Sequence, residues 1–495
     1  MTFEYNIADT KNEMALKKDL SSFDLTSIVV GSIVGADIYI ASALTAGLLG
    51  PAAILVWVAA GIFATIIALV FAYCSYYVPR VGGPFAFVSE AFDDFYGFLT
   101  GWSIWIAEVL SLPVFAIAFI YYFQYFLQYF FRVTLNFPLE ILIKALFLFT
   151  LTFINVRGVK AAGRVNDALT LIKLAPLLLL IVIGIGYFFF QPNLLTQNYL
   201  PFAPLGFGSF GAALVLVFWA YVGFEMGTLP ASEVKEPRKT IPKAIITGMI
   251  IVTVFYLLTN FVVYGLLHWT VLEGTTVPLV LAGFALLGTF GVAIMAIGAL
   301  VSVSGSDESG ILGTARLSYA MSIDGLFPKL FSKEHPKYQT PYMALIVQGI
   351  IAFALCIFSG LSDLISFSVF NLAFAFLLTC LALLVLGRKK QKKTLHGQRI
   401  LPIIGIVICL YLISMYLIGT TSIYIKIVGI ALIILGVPLY VFFSPKTDIH
   451  HLKDLFLSEE AILFRQFQRT DRFLAHFLSH LHHRYQLLTS KKEKH

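Results

Sequence analysis

The sequence predicts an all-α integral membrane protein with twelve transmembrane helices, and three observations predict it. Of 495 residues, 59% are hydrophobic and 12% charged, which is more apolar surface than one water-soluble core can bury. Apolar runs of about 20 residues, the length that crosses the hydrocarbon of a bilayer, recur between short polar breaks. The basic residues fall mainly into the breaks on one side, as the positive-inside rule requires.

Residues 1–22 are polar, show no signal-peptide pattern, and read as a cytoplasmic tail. Spans are expected at 25–49, 52–78, 97–130, 138–156, 165–190, 209–231, 243–268, 284–314, 341–359, 364–387, 400–419 and 424–443. With the N-terminus inside, the inner loops hold Arg80; Arg157, Lys160 and Arg164; Lys235, Arg238, Lys239 and Lys243; Arg316, Lys329, Lys333 and Lys337; and the run Arg388 to Lys393. The outer loops hold Arg132 and Lys426. Twelve spans and two cytoplasmic termini therefore support one another, and a plasma membrane location follows. The net charge of +7 sits in loops and tail without a basic, aromatic-interleaved face, so no nucleic-acid partner is expected. The four cysteines lie in apolar segments, which argues against disulfides.

Two spans are irregular. The first, Leu25 to Leu49, places Gly31, Gly35 and Asp37 in mid-membrane, and the sixth places Gly223, Glu225 and Gly227 there. An unpaired amide or free carboxylate in hydrocarbon costs several kcal/mol, so such segments survive only beside a cavity or buried in protein. Glycines alone permit close helix packing. Two matched glycine-and-acid interruptions instead indicate broken helices 1 and 6 of a five-plus-five inverted repeat with a site at the midplane. The expected organisation is a first repeat over 23–190, a second over 205–387, two further helices over 398–443, and a tail over 444–495. At each break one half ends in free carbonyls and the next begins with free amides. Amides can hold a carboxylate and carbonyls an ammonium.

At these residues the chain resembles the amino acid-polyamine-organocation superfamily of permeases, in its prokaryotic proton-coupled type. The matches are Gly35-Ala36-Asp37-Ile38-Tyr39, Pro79-Arg80-Val81-Gly82-Gly83-Pro84, Gly101-Trp102 with Glu108, Gly223-Phe224-Glu225 with Glu233 to Pro237, and Arg316, Tyr319-Ala320-Met321, Asp324-Gly325 and Pro328. They cover about residues 20 to 400. The resemblance implies a carrier of amino acids or related amines that holds substrate on backbone around Ile33, Val34, Gly35 and Ala36 and around Ala220, Tyr221, Gly223 and Phe224. It departs from the family pattern at Asp37, where glycine is usual. Aspartate there either caps the outer half-helix or contacts a substrate amine or ion.

Lys173 lies about nine residues past Arg164, hence some 13 Å into the bilayer at roughly 1.5 Å per residue, and Asp307 and Glu308 lie at similar depth. A lysine facing carboxylates there can change charge state with its surroundings, which proton coupling needs. The resemblance also makes the fifth-helix lysine the stand-in for a sodium ion, so Lys173, Asp307 and Glu308 are the candidate coupling groups. The bland reading is a static buried pair. Asp37, Glu108, Glu225, Asp307 and Glu308 outnumber Lys173 in this layer, which biases the site toward cationic or neutral substrates. Trp219, Tyr221 and Phe224 crowd the sixth-helix break as candidate gates.

The tail carries apolar residues at spacings of three and four from Leu463 to Leu488, with arginines between and seven of the ten histidines. It reads as a cytoplasmic amphipathic helix, and no metal or cofactor site is expected. Gly206 to Gly211 fits a dinucleotide pattern, but in a loop without its strand, and no hydrolytic motif is found. The expectation is a secondary active importer rather than an enzyme, with an exchanger or a transport-incompetent sensor as alternatives.

Overall fold

A computed structural model describes residues 21–79, 82–158, 162–228, 234–389, 399–418 and 423–443. Arg80, Lys160, Glu233, the run beyond residue 389 and the amphipathic tail lie outside the described residues, as does the side chain of Arg164. Residues up to Tyr440 form one unit. Of the second, Val441–His495, only 441–443 are described.

Every regular element among the described residues is helical. The helices are α1 (Ser22–Ile33), α2 (Ala36–Leu49), α3 (Ala53–Tyr77), α4 (Pro84–Ala91), α5 (Asp94–Phe131), α6 (Phe137–Arg157), α7 (Ala162–Phe190), α8 (Pro192–Tyr199) and α9 (Phe210–Trp219). They continue with α10 (Pro237–Leu266), α11 (Trp269–Glu273), α12 (Pro278–Ile323), α13 (Tyr342–Phe358), α14 (Leu361–Lys389), α15 (Ile400–Ile418), α16 (Ile423–Ile434) and α17 (Gly436–Phe443). Nine stretches among the described residues are long and apolar enough to cross a membrane, and one of these, Ala36–Tyr77, covers both α2 and α3. Three shorter apolar helices are α1, α9 and α13.

Local sequence explains the ends. Ser21 accepts from the Asp24 amide while the Asp24 carboxylate accepts from the Ser21 amide, the reciprocal capping box that starts a helix. Asp93 caps α5 and Asn136 caps α6 through amides three residues on. Proline stands in the first turn of α4, α6, α8, α10 and α12, where its missing N–H costs nothing. The eighth expected span is longer than the pattern suggested, reaching Ile323, and it is kinked at Gly288, whose φ is 57°. The last expected span divides between α16 and α17.

The first expected span is interrupted. α1 stops at Ile33 and α2 starts at Ala36, with Val34 extended and Gly35 outside helical geometry. In the sixth, α9 ends at Trp219 and tight turns carry the chain through Gly223, at φ 119°, to a 3-10 turn at Phe224–Thr228. α1 packs on that 3-10 turn and α2 on α9, so the two interrupted segments cross antiparallel. Around them, α5 runs through the centre: 89% of its most apolar window is buried, against 22% for α6.

The hydroxyl of Tyr264 fastens α10 to this crossing. Tyr264 Oη accepts from Trp57 Nε1 at 3.2 Å, lies 3.0 Å from Thr45 Oγ1 and donates to the Ser42 carbonyl at 3.3 Å, which joins α2, α3 and α10. Close approach of α1 and α10 depends on Gly248, where a Cβ would stand 2.6 Å from Val29 Cγ1. Gly248→Leu is therefore expected to lower stability by about 1–3 kcal/mol through overpacking, read as a lower thermal midpoint in detergent; an unchanged midpoint would show that the two helices separate freely.

Candidate functional site

The interruptions touch each other through backbone. A Cβ on Gly223 would stand 3.0 Å from the carbonyl carbon and oxygen of Ser32 and 3.1 Å from the Ile33 nitrogen. Gly35 is equally enclosed, by Ser306 Cβ at 2.8 Å and by Asp37 Oδ1 and Phe115 at 2.9 Å each. These glycines let two backbones and a side-chain cage meet where any other residue would hold them apart.

Three carbonyls next to the gap, those of Gly31, Ile33 and Val34, find side-chain donors. Lys173 Nζ of α7 donates to the Gly31 carbonyl at 3.1 Å and to Ser306 Oγ at 3.0 Å. Ser306 Oγ in turn lies 2.7 Å from the Val34 carbonyl and 3.2 Å from that of Gly31, and Ser302 Oγ lies 3.4 Å from the Val34 carbonyl. The hydroxyl of Tyr256 reaches the Ile33 carbonyl at 3.1 Å and Asp37 Oδ2 at 2.8 Å. Lys173 is 2% exposed, so its ammonium is held by oxygen atoms alone.

A carboxylate stands close to the glycine at both breaks. Gly35 is the N-cap of α2 and Asp37, 3% exposed, stands in the first turn. Asp37 is thus not itself the N-cap residue; its Oδ2 accepts from Tyr256 and its Oδ1 lies 2.9 Å from where a Cβ on Gly35 would stand. At the second break the Gly223 amide donates to Glu225 Oε2 at 3.1 Å, leaving Oε1 buried without a partner. Gly35-Ala36-Asp37 and Gly223-Phe224-Glu225 share a pattern, a glycine with an acid two residues on, and at the second the carboxylate takes the glycine amide.

Glu108 of α5 is 9% exposed. One turn along α5, Ser111 Oγ accepts from Trp219 Nε1 at 3.0 Å, and Phe115 lies 5.7 Å from the Trp219 ring. Trp219 therefore stands beside Gly35. The other gate candidates are elsewhere. Phe224 is packed among Phe71 and Phe376, and Tyr221 donates to the Trp57 carbonyl at 3.1 Å. Ala220 is buried at the end of α9.

Asp307 and Glu308 do not pair with Lys173: no ion pair within 4.0 Å joins them. The charges that act on Lys173 come from Glu308 and Asp37. Asp307 is fully buried with neither oxygen hydrogen-bonded. Sequence reasoning missed Tyr256, although Tyr256, Asn260 and Tyr264 repeat every four residues and make one polar stripe on an apolar helix. Beyond the first break a cavity of about 310 Å³ opens beside Ile40, Ala43 and Leu44 of α2, bounded also by Tyr121, Thr275, Thr276 and Gly360 to Asp363.

A multi-pass helical membrane protein assembled around two interrupted, crossing helices is what these elements define. The amino acid permease family model matches residues 20–445. The chain is 30% identical over 418 residues to a methylthioribose transporter of Bacillus subtilis, covering 80% of this chain and 88% of that one. It is 29% identical over 429 residues to a branched-chain amino acid permease, BcaP, of the same organism, covering 82% and 90%. It is 25% identical over 401 residues to a cationic amino acid transporter 4 of Mus musculus, covering 78% and 62%. The chain belongs to the amino acid permease family of the amino acid-polyamine-organocation superfamily, and so is a transporter and not an enzyme.

Two substitutions probe this geometry. Tyr256→Phe removes the donor to a buried carboxylate and carbonyl and should cost about 1–3 kcal/mol, measured as a fall in the detergent thermal midpoint; no change would mean that Asp37 finds another donor. Gly223→Ala forces a left-handed conformation and a backbone contact that about 1–3 kcal/mol of strain accompanies. It should abolish substrate-dependent uptake while a Gly208→Ala control, in open space, retains it.

Proposed function

We propose that the protein is a proton-coupled secondary active importer of amino acids or related amines in the plasma membrane, working by alternating access. The single observation that carries this reading is the Lys173 ammonium seated on the Gly31 carbonyl and Ser306 at the neck of the broken helix. A cation at that point joins α1, α7 and α12, and its charge sets whether they stay joined. Protonation from one side and deprotonation to the other would couple the tie to a proton gradient. Asp307 and Glu308 remain coupling candidates through their depth on α12, and Glu308 also through its charge on Lys173.

The architecture in this reading has twelve crossings, with α1 and α2 making the first, α9 and the following 3-10 turn the sixth, and α16 with α17 the last. Residues 23–190 and 205–387 form inverted repeats, supported by the antiparallel crossing and by the glycine with an acid two residues on at each break. Both termini face the cytoplasm, on the side of Arg157, Lys235 to Lys243, Arg316 and Lys329 to Lys337. Substrate meets backbone at Ile33 to Asp37 and at Ala220 to Glu225, with Glu108 opposite and Trp219 as the gate.

Purified protein in proteoliposomes should concentrate substrate when an inward pH gradient is imposed. Lys173→Ala should still bind substrate but lose the response to that gradient. Uptake by Lys173→Ala that follows the gradient as the wild type does removes proton coupling through this lysine. Uptake only against internal substrate would make the protein an exchanger, and binding with neither would make it a sensor.

A further inference from the structure

The hydroxyl of Ser111, on α5, is bonded on every side. Ser111 Oγ donates to the Ala107 carbonyl of its own helix at 3.0 Å, accepts from Trp219 Nε1 of α9 at 3.0 Å, and lies 3.1 Å from Ser368 Oγ of α14. A serine hydroxyl has one proton and two lone pairs, and an indole N–H only donates. With the proton on the Ala107 carbonyl and one lone pair on the indole, Ser111 meets Ser368 through its second lone pair. Ser368 is therefore the donor. All three side chains are buried, where each bond of such a chain polarises the next.

Packing alone holds the ring less exactly. Phe115 lies 5.7 Å from the Trp219 ring in a tilted contact, which places the indole without choosing the edge it presents. The N–H bond to Ser111 chooses that edge.

The same bond reaches outward along α14. Gly360 to Asp363, at the start of α14, line the 310 Å³ cavity together with Tyr121 of α5 and Ala43 of α2. Ser368 stands five residues past Asp363, about 7.5 Å along the helix, so the cavity wall and the Ser368 hydroxyl ride on one short, stiff piece of α14.

Resting on the importer reading above, we propose that Ser368 is a positioning residue for the Trp219 gate: its hydroxyl saturates Ser111, fixes the indole through it, and in the same contact ties the cavity wall of α14 to α5. Moving α14 away from α5 strips Ser111 of a donor and loosens the indole beside Gly35, so wall and gate change place together. A hydrogen bond between neutral groups is worth about a factor of five in an equilibrium, enough to bias one arrangement and little enough to be broken in each cycle.

Full-length protein carrying 15N at its five tryptophans gives one indole resonance for each, with that of Trp219 assigned from Trp219→Phe. Ser368→Ala should move the Trp219 resonance and leave those of Trp57 and Trp102, whose indoles donate to Tyr264 and to the Leu432 carbonyl. A Trp219 resonance that stays in place means that packing holds the ring, and a shift of all five means that the fold has loosened; either overturns the proposal. Ser368→Thr keeps the hydroxyl and should restore the wild-type resonance, whereas Ser368→Val, of the same shape without it, should not. Like behaviour of that pair also overturns the proposal, and Ser368→Ala decides alone if the larger side chains are not accommodated. Ala43→Cys reports on the cavity, since the native cysteines are buried. A membrane-impermeant maleimide should label it about fivefold faster when Ser368 is replaced by alanine; an equal rate overturns the tie between wall and gate. Neither readout needs a substrate. If a pH gradient drives no amino acid or polyamine into wild-type proteoliposomes, the importer reading falls while these two results stand.

Discussion

A peptide group without a partner inside a bilayer costs several kcal/mol, and that constraint orders the centre of this protein. Breaking α1 from α2 frees carbonyls at Gly31, Ile33 and Val34, and each is met by a side chain from a different helix: Lys173 from α7, Tyr256 from α10, Ser302 and Ser306 from α12. The interruption thus acts as a hub. Helices that would otherwise touch only through apolar side chains, with no hydrophobic force to favour one lipid-like surface over another, are registered against a shared set of backbone oxygens. The Gly223 backbone closes the hub from the second interrupted segment.

Much of this could be read from the chain. The interruptions fall where Gly35 with Asp37 and Gly223 with Glu225 placed them, because glycine and acid in hydrocarbon admit few structures. Span ends were legible to within a few residues at most boundaries, since apolar length and capping residues such as Asp93 and Asn136 both mark them. α12 extended past expectation because a helix continues into water where nothing stops it, and apolar periodicity ends before the helix does. Within the site, sequence could name the layer of charges but not its pairings. Lys173 chooses a carbonyl and a serine over Asp307, and which face of α12 meets α7 is decided by packing, not by depth. On α12, Ser302 and Ser306 bond the Val34 carbonyl, whereas Ser304 bonds its own backbone at Leu300, a difference that only the helix rotation settles. The aromatic residues near the second break divide for the same reason: Trp219 turns to α5, Phe224 and Tyr221 to α3.

Both breaks carry a glycine with an acid two residues on, and at the second that carboxylate satisfies the amide that the break exposes, which makes it less costly. Family members named for a branched-chain amino acid and for methylthioribose share 29% and 30% identity with this chain. The frame is therefore held in common by proteins whose names point to different cargo, and it is the side chains set into the frame that are free to differ.

One face of α10 braces both pieces of the divided helix. Tyr256 holds the junction at Ile33 and Asp37, and Tyr264 holds α2 at Thr45 and Ser42; eight residues of helix separate them, about 12 Å. A rod of that length is stiff, so α2 cannot swing about Gly35 while both phenols keep their grip. The hinge is latched, and whichever of the two hydroxyls lets go first selects the arc through which the outer piece is able to turn.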